Sequence, residues 1–325
     1  MKAKELLFAV FVFTFPFISN AQSDTLIRKL DSVRMADTIK PPNNIQQENY
    51  NEITKITFHS YFLLLGSNIK QQFTSPLWAK KKDWSKVGKA VILGTALYFA
   101  DKPIQKGAVE ITEGNSFLQH TSRYITNTGG SYEIITLGAL TAYGMIFKAE
   151  KIKTTALLAS HAYITSALIS TSLKFLAGRQ RPVILDEEGK PHNSFHGPFY
   201  QFKKDGKGNR PPLDAHNSFP SGHATAAFAA ATVFAKEYRD RPMVPIFAYT
   251  AASLISLSRL TENRHWASDV LIGAGIGYLS GLQIVNNFHR YAKLKYQEQN
   301  KGKVSFNLQY MNKTILPGMV YTFRN

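Results

Sequence analysis

The sequence predicts an all-α fold, a membrane-embedded bundle of six helices followed by a short C-terminal β-hairpin. The first observation is a set of six apolar segments, which span 87–100, 132–147, 154–176, 222–236, 242–258 and 268–288. Two stretches within them, 154–173 and 270–288, contain no Asp, Glu, Lys or Arg and are long enough to cross a bilayer. A soluble helical core is the alternative, and the mean hydropathy of −0.18 favours it.

Small residues are the second observation, because they allow the close helix approach that membrane bundles need. They recur in three of the segments, at Gly138, Ala139, Ala142 and Gly144, at 226–231, and at Gly273, Ala274, Gly275 and Gly277.

The third observation is the C-terminal tail, where apolar and polar residues alternate from Val304 to Tyr310 with the period of a strand. Leu316-Pro317-Gly318 then predicts a turn, and residues 319–323 predict the partner strand.

Composition restricts the possible partners and chemistry. Against 22 Asp and Glu, 39 Lys and Arg give the chain a net charge of +17. This excess favours nucleic acid, anionic lipid or phosphorylated substrates, although basic cytoplasmic loops account for it equally well. The absence of cysteine excludes disulfides, thiolate metal sites and cysteine nucleophiles.

The N-terminus predicts export. Lys2 and Lys4 precede an apolar run, 6–18, and Ser19-Asn20-Ala21 fits a small-x-small cleavage site. An uncleaved anchor helix is the alternative. The predicted organisation is a signal peptide at 1–21, a polar tail with an interfacial segment at 22–86, the helical domain at 87–290 and a C-terminal tail at 291–325.

Basic residues concentrate at 80–89, 148–153, 236–241 and 289–295. If all six segments span, these stretches share one side, which the positive-inside rule assigns to the cytoplasm. The polar insert 183–217 then faces the periplasm. A cleaved signal peptide conflicts with this arrangement, because it leaves residue 22 outside. Retention of the N-terminal run, a crossing by residues 56–78, or segments that only pack at the surface each resolve the conflict.

Three clusters carry the candidate chemistry, and the first ends the third apolar segment. Lys174 and Arg181 flank a helix end where Gly178 lets the chain leave and Pro182 prevents continuation. An ammonium and a planar guanidinium at this spacing can clamp an oxyanion. Neutralisation of the helix macrodipole is the structural alternative.

The second cluster, Ser218-Phe219-Pro220-Ser221-Gly222-His223, opens the fourth segment. A helix start presents free backbone N–H groups to an anion, Ser221 adds a hydroxyl, and His223 is placed to transfer a proton. An ordinary helix cap with an exposed histidine is the alternative.

The third cluster is Ser258-Arg259, followed by His265 and Asp269. A carboxylate one helical turn from an imidazole can hold one ring nitrogen and leave the other free to attack. Such a pair is by itself more often a helix-surface contact, and the two upstream clusters make the catalytic interpretation the stronger one.

Together the clusters resemble the three-part signature of the type 2 phosphatidic acid phosphatase superfamily, which vanadium haloperoxidases and bacterial class A acid phosphatases share. The match consists of Lys174-x6-Arg181-Pro182, Pro220-Ser221-Gly222-His223 and Ser258-Arg259-x5-His265-x3-Asp269. Gly178-Arg179 and Ser268-Asp269-Val270 look more like the membrane lipid-phosphatase branch. The insert 183–217 is longer than in many compact members, which suggests a lid or substrate loop.

The resemblance implies a six-helix bundle of the phosphatidic acid phosphatase/haloperoxidase type and a two-step hydrolysis. His265 is the expected nucleophile, Asp269 orients it, and His223 is the general acid and base. The expected phosphate ligands are Lys174, Arg181, Ser221, the Gly222 amide and Arg259. No metal or other cofactor is implied.

The expected protein is therefore an exported inner-membrane phosphatase with its site facing the periplasm, acting on a phosphorylated lipid and not binding nucleic acid. A soluble periplasmic acid phosphatase, a vanadate-dependent haloperoxidase and an anionic-lipid binding protein with a decayed site are the alternatives. Among the other histidines, His59, His120, His161 and His289 show no partner spacing, whereas His192, His196 and His216 lie in the insert and are candidates for substrate contact.

Overall fold

The computed structural model describes residues 25–36, 45–46, 50–79, 81–129, 131–204, 214–299, 303–311 and 314–322. Within these ranges the chain forms nine α-helices and two β-strands. The helices are α1 (Thr25–Ala36), α2 (Phe58–Thr74), α3 (Lys81–Thr112), α4 (Ser116–Thr128), α5 (Ser131–Ile146), α6 (Glu150–Ala177), α7 (Gly222–Glu237), α8 (Met243–Thr261) and α9 (Ala267–Gln299), and the strands are β1 (Lys303–Met311) and β2 (Thr314–Thr322). Two short 3₁₀ helices lie at Ser75–Trp78 and Tyr200–Phe202.

Each of the six apolar segments lies in its own helix, from α3 and α5 to α9, but the predicted count of six is too low. The additional helices α1, α2 and α4 are mixed in sequence, so they lack the long apolar run that marks the others. The predicted domain end at 290 also falls inside α9. This helix continues to Gln299 because Tyr291 and Leu294 still bury their side chains in the core.

A ridge of glycines on α9 brings this helix against α7. A Cβ atom added to Gly277 would lie 2.2 Å from the Thr225 carbonyl oxygen, and one added to Gly281 would lie 2.6 Å from that of Ala229. Gly273 packs in the same way on Ser221, where the added Cβ would lie 2.7 Å from the carbonyl oxygen. This small-residue contact places the first turn of α7 beside the first turn of α9.

Helix α2 buries several polar side chains beside Leu64 and exposes aromatic side chains on its outer side. Ser67, Asn68 and Gln71 are buried, whereas Phe58 and Phe62 are 83% and 52% exposed. The buried side joins α1 and α9, because Gln71 donates to Asp31 at 2.9 Å and to Asn287 at 3.0 Å. Residues 22–86, predicted as a tail with an interfacial segment, thus pack two helices onto the bundle.

The end of the bundle opposite the start of α9 is closed by residues just before α2. The buried carboxylate of Glu237 accepts hydrogen bonds from the Tyr50 hydroxyl and from His289 Nε2, the latter at 2.9 Å. Lys151 donates to the Ile45 carbonyl at 2.6 Å. Because Lys151 begins α6 and Glu237 ends α7, Ile45 and Tyr50 lie at the far end from the starts of α7 and α9.

Among the described residues, three helices are long and apolar enough to cross a membrane: Glu150–Ala177, Met243–Thr261 and Ala267–Glu298. The predicted spans 154–173 and 270–288 lie within two of them, and α5 is a shorter apolar helix. Large apolar side chains point outward, such as Ile92, Ile146 and Phe247, which are 71%, 73% and 66% exposed. Long apolar helices with apolar outer surfaces are the construction of a membrane protein.

The C-terminal strands β1 and β2 pair antiparallel, with Lys303 opposite Thr322 and Met311 opposite Thr314. The predicted turn, Leu316-Pro317-Gly318, lies inside β2 instead, where Pro317 pairs with Leu308. A two-stranded sheet has only edge strands, and an edge strand tolerates a proline that cannot donate to the ladder.

The glycine ridge gives the first prediction. Gly277→Ala places a methyl group against the backbone of α7, which cannot move without separating the two helices. We expect a loss of stability of about 1–3 kcal/mol, as for other overpacked cores, and a matching loss of any activity of the site at the helix starts. Gly275→Ala is the matched control, since a Cβ there meets nothing within 4 Å. Equal losses of thermal stability in detergent for the two variants would contradict this role of the glycine ridge.

Candidate active site

All eight predicted site residues lie at one end of the bundle, where α6 and α8 end and α7 and α9 begin. Lys174 is in the last turn of α6, Arg259 is in the last turn of α8, and His265 and Asp269 flank the start of α9. The glycine ridge and a hydrogen bond of 3.1 Å from the Ser221 amide to the Asp269 carbonyl join the second and third clusters.

Asp269 is fully buried, and its carboxylate connects three parts of the site. Oδ2 accepts from the Ser218 hydroxyl at 2.5 Å and from the Trp266 backbone amide at 2.9 Å. The second of these bonds caps α9, because an acidic residue at the third helical position reaches back to the residue before the helix. Oδ1 accepts from Arg179.

His265 is held by a backbone carbonyl. Its Nδ1 lies 2.7 Å from the Ser218 carbonyl oxygen, which can only accept, so Nδ1 carries the proton. Burial lowers the pKa of His265 to about 3, and the cations of Lys174 and Arg181 act in the same direction. The imidazole is therefore neutral at physiological pH and keeps a lone pair on Nε2.

This arrangement corrects the predicted role of Asp269 as the direct acceptor for His265. Asp269 Oδ2 lies 3.7 Å from His265 Nδ1, an ion-pair distance and not a hydrogen bond. The reason is that Ser218 and Trp266 already occupy this oxygen. Asp269 thus holds the Ser218 loop, and the Ser218 carbonyl in turn holds the imidazole.

The start of α7 combines a capped helix with free amides. The Ser221 hydroxyl accepts from the Ala224 amide at 3.5 Å, and the Ser221 carbonyl accepts from Thr225 at 3.0 Å. Among the described residues the amides of Gly222 and His223 have no acceptor. They are the donors that a helix start offers to an anion.

His223 stands among the three cations of the site. Burial lowers its pKa to about 4, and the charges of Arg259, Lys174 and Arg181 add to this effect in that order. A phosphate bound among these cations offsets their charge, so it raises the pKa of His223 and favours the protonated form.

Each cation has at least one fixed contact and retains further donors. Lys174 Nζ donates to the Asn217 carbonyl at 2.6 Å, and Arg181 Nε donates to the Asp214 carbonyl at 2.7 Å. Arg259 pairs with Glu262 at 2.6 Å. Because five N–H groups are present on a guanidinium and three on an ammonium, these contacts orient the cations without using all their donors.

Several supporting residues were missed in the sequence. Arg179 lies between Asp101 of α3 and Asp269, and all three side chains are 0% exposed. Thr126 of α4 contacts Ser258 at 2.7 Å and Arg259 at 3.2 Å. Their partners are more than 70 positions away in the chain, so spacing carries no signal for them. Asp101, an acidic residue directly after the apolar segment 87–100, was the one available indication.

The insert lies against the end of α6. The amides of His196, Gly197 and Phe199 donate to the carbonyls of Gly178, Ala177 and Phe175 at 2.7–3.2 Å. His216, two residues before Ser218, stacks edge-on against His196 with ring centroids 4.9 Å apart. His192 instead pairs with Asp186 at the surface, at 2.6 Å.

Two histidines without partner spacing do have partners. His161 Nδ1 contacts Asn68 at 3.3 Å, and His289 pairs with Glu237 at the opposite end of the bundle.

Comparison with known proteins bears on the same helices. Residues 155–293 match the family model described as PAP2 superfamily, a range that contains all three clusters. Over these residues the chain is similar to the PAP2 superfamily. The matching residues begin in α6 and end in α9, and α1 to α5 precede all of them.

The chain is also similar to individual named proteins. Over 73 residues the chain is 53% identical to lipid A 1-phosphatase of Porphyromonas gingivalis, which is 22% of this chain and 16% of that relative. Two solved structures are also similar to this chain. A transmembrane PAP2 type phosphatidylglycerolphosphate phosphatase from Bacillus subtilis has a TM-score of 0.44 and 25% identity, covering 67% of this chain and 96% of its own. For Aquifex aeolicus LpxE the values are 0.40 and 24%, with 55% and 93% covered.

The neutral buried histidines make stability depend on pH. An unfolded histidine binds its proton near pH 6.5, whereas the folded pKa values are about 4 for His223 and about 3 for His265. Between these values the unfolded chain binds more protons, so stability is complete above pH 6.5 and is lost as pH falls towards pH 4. We expect His223→Gln to reduce this loss, measured as the difference in thermal midpoint between pH 7.5 and pH 4.5. An unchanged difference would contradict the neutral state of His223.

Proposed function

We propose that this protein is a phosphatase of the cell envelope that hydrolyses phosphate or pyrophosphate esters of lipids through a phosphohistidine intermediate. The observation that carries the proposal is the tautomer of His265. Its Nδ1 proton is donated to the Ser218 carbonyl, at 2.7 Å, so the free lone pair is on Nε2. The cations of Lys174 and Arg181 act on this imidazole. A neutral imidazole surrounded by oxyanion ligands is suited to attack phosphorus.

In the first step, Nε2 of His265 attacks phosphorus, and the bond to the leaving oxygen breaks. His223, whose pKa rises when the phosphate enters, gives its proton to that oxygen. The product is a phosphohistidine with a positive charge on the imidazole, which Asp269 at 3.7 Å favours electrostatically. In the second step, neutral His223 takes a proton from water, and the water oxygen attacks phosphorus. The bond between phosphorus and Nε2 breaks, which releases phosphate and restores neutral His265.

The equatorial oxygens gain negative charge in both transition states. Lys174, Arg181 and Arg259, the Ser221 hydroxyl and the amide of Gly222 are the proposed donors to these oxygens. Fixed donors in a buried site need little reorganisation during the reaction, so electrostatic stabilisation is the main contribution. The proposed mechanism uses side chains and backbone groups and requires no metal ion.

A lipid substrate is supported by the surroundings of the site. Two of the long apolar helices, α6 and α8, end at the site, and α9 begins there. The neighbouring insert exposes Phe199 and Phe202, which are 58% and 46% exposed. A phosphate placed among these groups would have apolar surface beside it, as the chains of a lipid require. The relatives are named as phosphatases of lipids, which agrees with this substrate class.

His265→Ala tests the nucleophile. We expect phosphate release from a panel of lipid and soluble phosphates to fall by a factor on the order of 10⁴ or more, while the thermal midpoint stays high enough for a folded protein. Acid-labile phosphate should be trapped on the wild-type chain and not on the variant. Asp269→Asn should reduce the rate less, because it removes a supporting charge and not the attacking atom. Substantial turnover by His265→Ala would refute the mechanism.

The orientation in the membrane has its own test. We propose that the site faces the periplasm, so the opposite end of the bundle, where Ile45 and Tyr50 lie, faces the cytoplasm. Because the natural chain has no cysteine, single cysteines report cleanly. Lys190→Cys in the insert should react with a membrane-impermeant thiol reagent in intact spheroplasts. Glu52→Cys and Arg241→Cys should react only after permeabilisation. The opposite pattern would place the site in the cytoplasm.

The same labelling tests the N-terminal prediction. The signal peptide and its cleavage after Ala21 lie outside the described residues. Labelling of Glu52→Cys in intact spheroplasts would support an exported N-terminus and contradict the proposed orientation of Ile45 and Tyr50.

A further inference from the structure

We infer that Asp101 of α3 is a positioning residue for the reaction. It sets the net charge of the buried group that contains Asp269 and lies beside His265. The inference rests on the proposed function, since it concerns the same nucleophile. Asp101 lies outside the three clusters and outside the region that matches the PAP2 family model.

Asp101 first fixes the start of α9. Its Oδ1 accepts from the Ser268 backbone amide at 2.9 Å, and its Oδ2 accepts from the Ser268 hydroxyl at 2.6 Å. A carboxylate at a helix start satisfies an amide without an intrahelical partner and lies at the positive end of the helix dipole. Asp101 therefore supplies from another helix a second cap beside that of Asp269.

Asp101 also balances the charge of Arg179. The two nitrogen arms of this guanidinium divide between the two carboxylates, with Nη2 2.6 Å from Asp101 Oδ2 and Nη1 against Asp269 Oδ1. The faces of the guanidinium lie near Tyr98, Phe195 and Trp266, with ring centroids 4.7–5.7 Å from Cζ. The side chains of Asp101, Arg179 and Asp269 are all 0% exposed, so water does not screen their charges effectively.

The charges then follow by counting. Two carboxylates and one guanidinium leave this buried group one negative charge, and the neighbouring imidazole is neutral before the reaction. Without Asp101, Arg179 and Asp269 would cancel each other. The positive charge that His265 gains in the phosphoenzyme would then face a neutral pair. In a buried site that difference acts at nearly full strength on the rate of phosphorylation.

The experiment compares charge-balanced and unbalanced variants. Asp101→Asn keeps the shape but leaves Arg179 to neutralise Asp269. We expect kcat to fall roughly 10- to 100-fold, as is typical when an outer carboxylate behind a functional histidine is removed, with little change in KM. The double variant Asp101→Asn with Arg179→Gln restores one net negative charge. It should recover a large part of the lost kcat, whereas Arg179→Gln by itself leaves two carboxylates without their cation.

Glu237→Gln is the matched control. Glu237 is also fully buried and also accepts two side-chain hydrogen bonds, but at the opposite end of the bundle. It should lower the thermal midpoint as Asp101→Asn does and leave kcat unchanged. If the double variant is no more active than Asp101→Asn, or if Glu237→Gln loses the same activity, Asp101 has only a structural role.

A second measurement separates this inference from the proposed function. Diethyl pyrocarbonate modifies neutral imidazoles, and mass spectrometry of the peptide that contains His265 gives the rate at this residue. Asp101→Asn should slow the modification several-fold, and the double variant should restore it. If the wild-type protein releases no phosphate from any substrate but the three proteins show this order of modification rates, the proposed phosphatase activity is refuted and the effect of Asp101 on His265 is supported. Equal modification rates in an active enzyme would refute the role of Asp101.

Discussion

The buried carboxylate of Asp269 is the interaction on which the site depends. It caps the helix to which it belongs, holds the loop before α7 through the Ser218 hydroxyl, and pairs with Arg179 at the end of α6. Removing a charge of this kind from water costs several kcal/mol unless pairing and hydrogen bonds offset it. The end of α6, the loop before α7 and the start of α9 are consequently all tied to a group that cannot be left unpaired.

The same requirement explains why the helices pack as they do. The glycine ridge of α9 lets backbone meet backbone, so that the Ser221 amide reaches the Asp269 carbonyl. Bulkier residues on this ridge would separate the two helix starts and with them His223 and His265. Close packing here serves to set distances between reacting groups, in addition to filling space.

Much of this could be predicted from the sequence. The six apolar helices and the three clusters follow from periodicity and from local spacing, because a helix start or end is a local property. Their convergence was implied by the alternation of the six segments across a membrane and by the resemblance to the phosphatase superfamily. The partners that fix the site are not local. Asp101 reaches Ser268 across 167 positions, and the true acceptor for His265 is a backbone carbonyl, which no residue type reveals. Helix α2 was not predicted for another reason, since it buries polar side chains beside Leu64 and exposes Phe58 and Phe62.

That inverted helix has a consequence for how the chain is assembled. Gln71 and Asn68 find their partner Asn287 some 216 and 219 residues later in the sequence. During synthesis α2 therefore emerges long before its partner on α9, and until then Gln71 and Asn68 have only their contacts to Asp31, Ser67 and His161. Until then α2 must wait in water, at the bilayer surface, or beside an assembly factor, and chains that stop short of α9 are expected to be cleared by proteolysis. The last helix to be synthesised thus determines whether the first ones are retained.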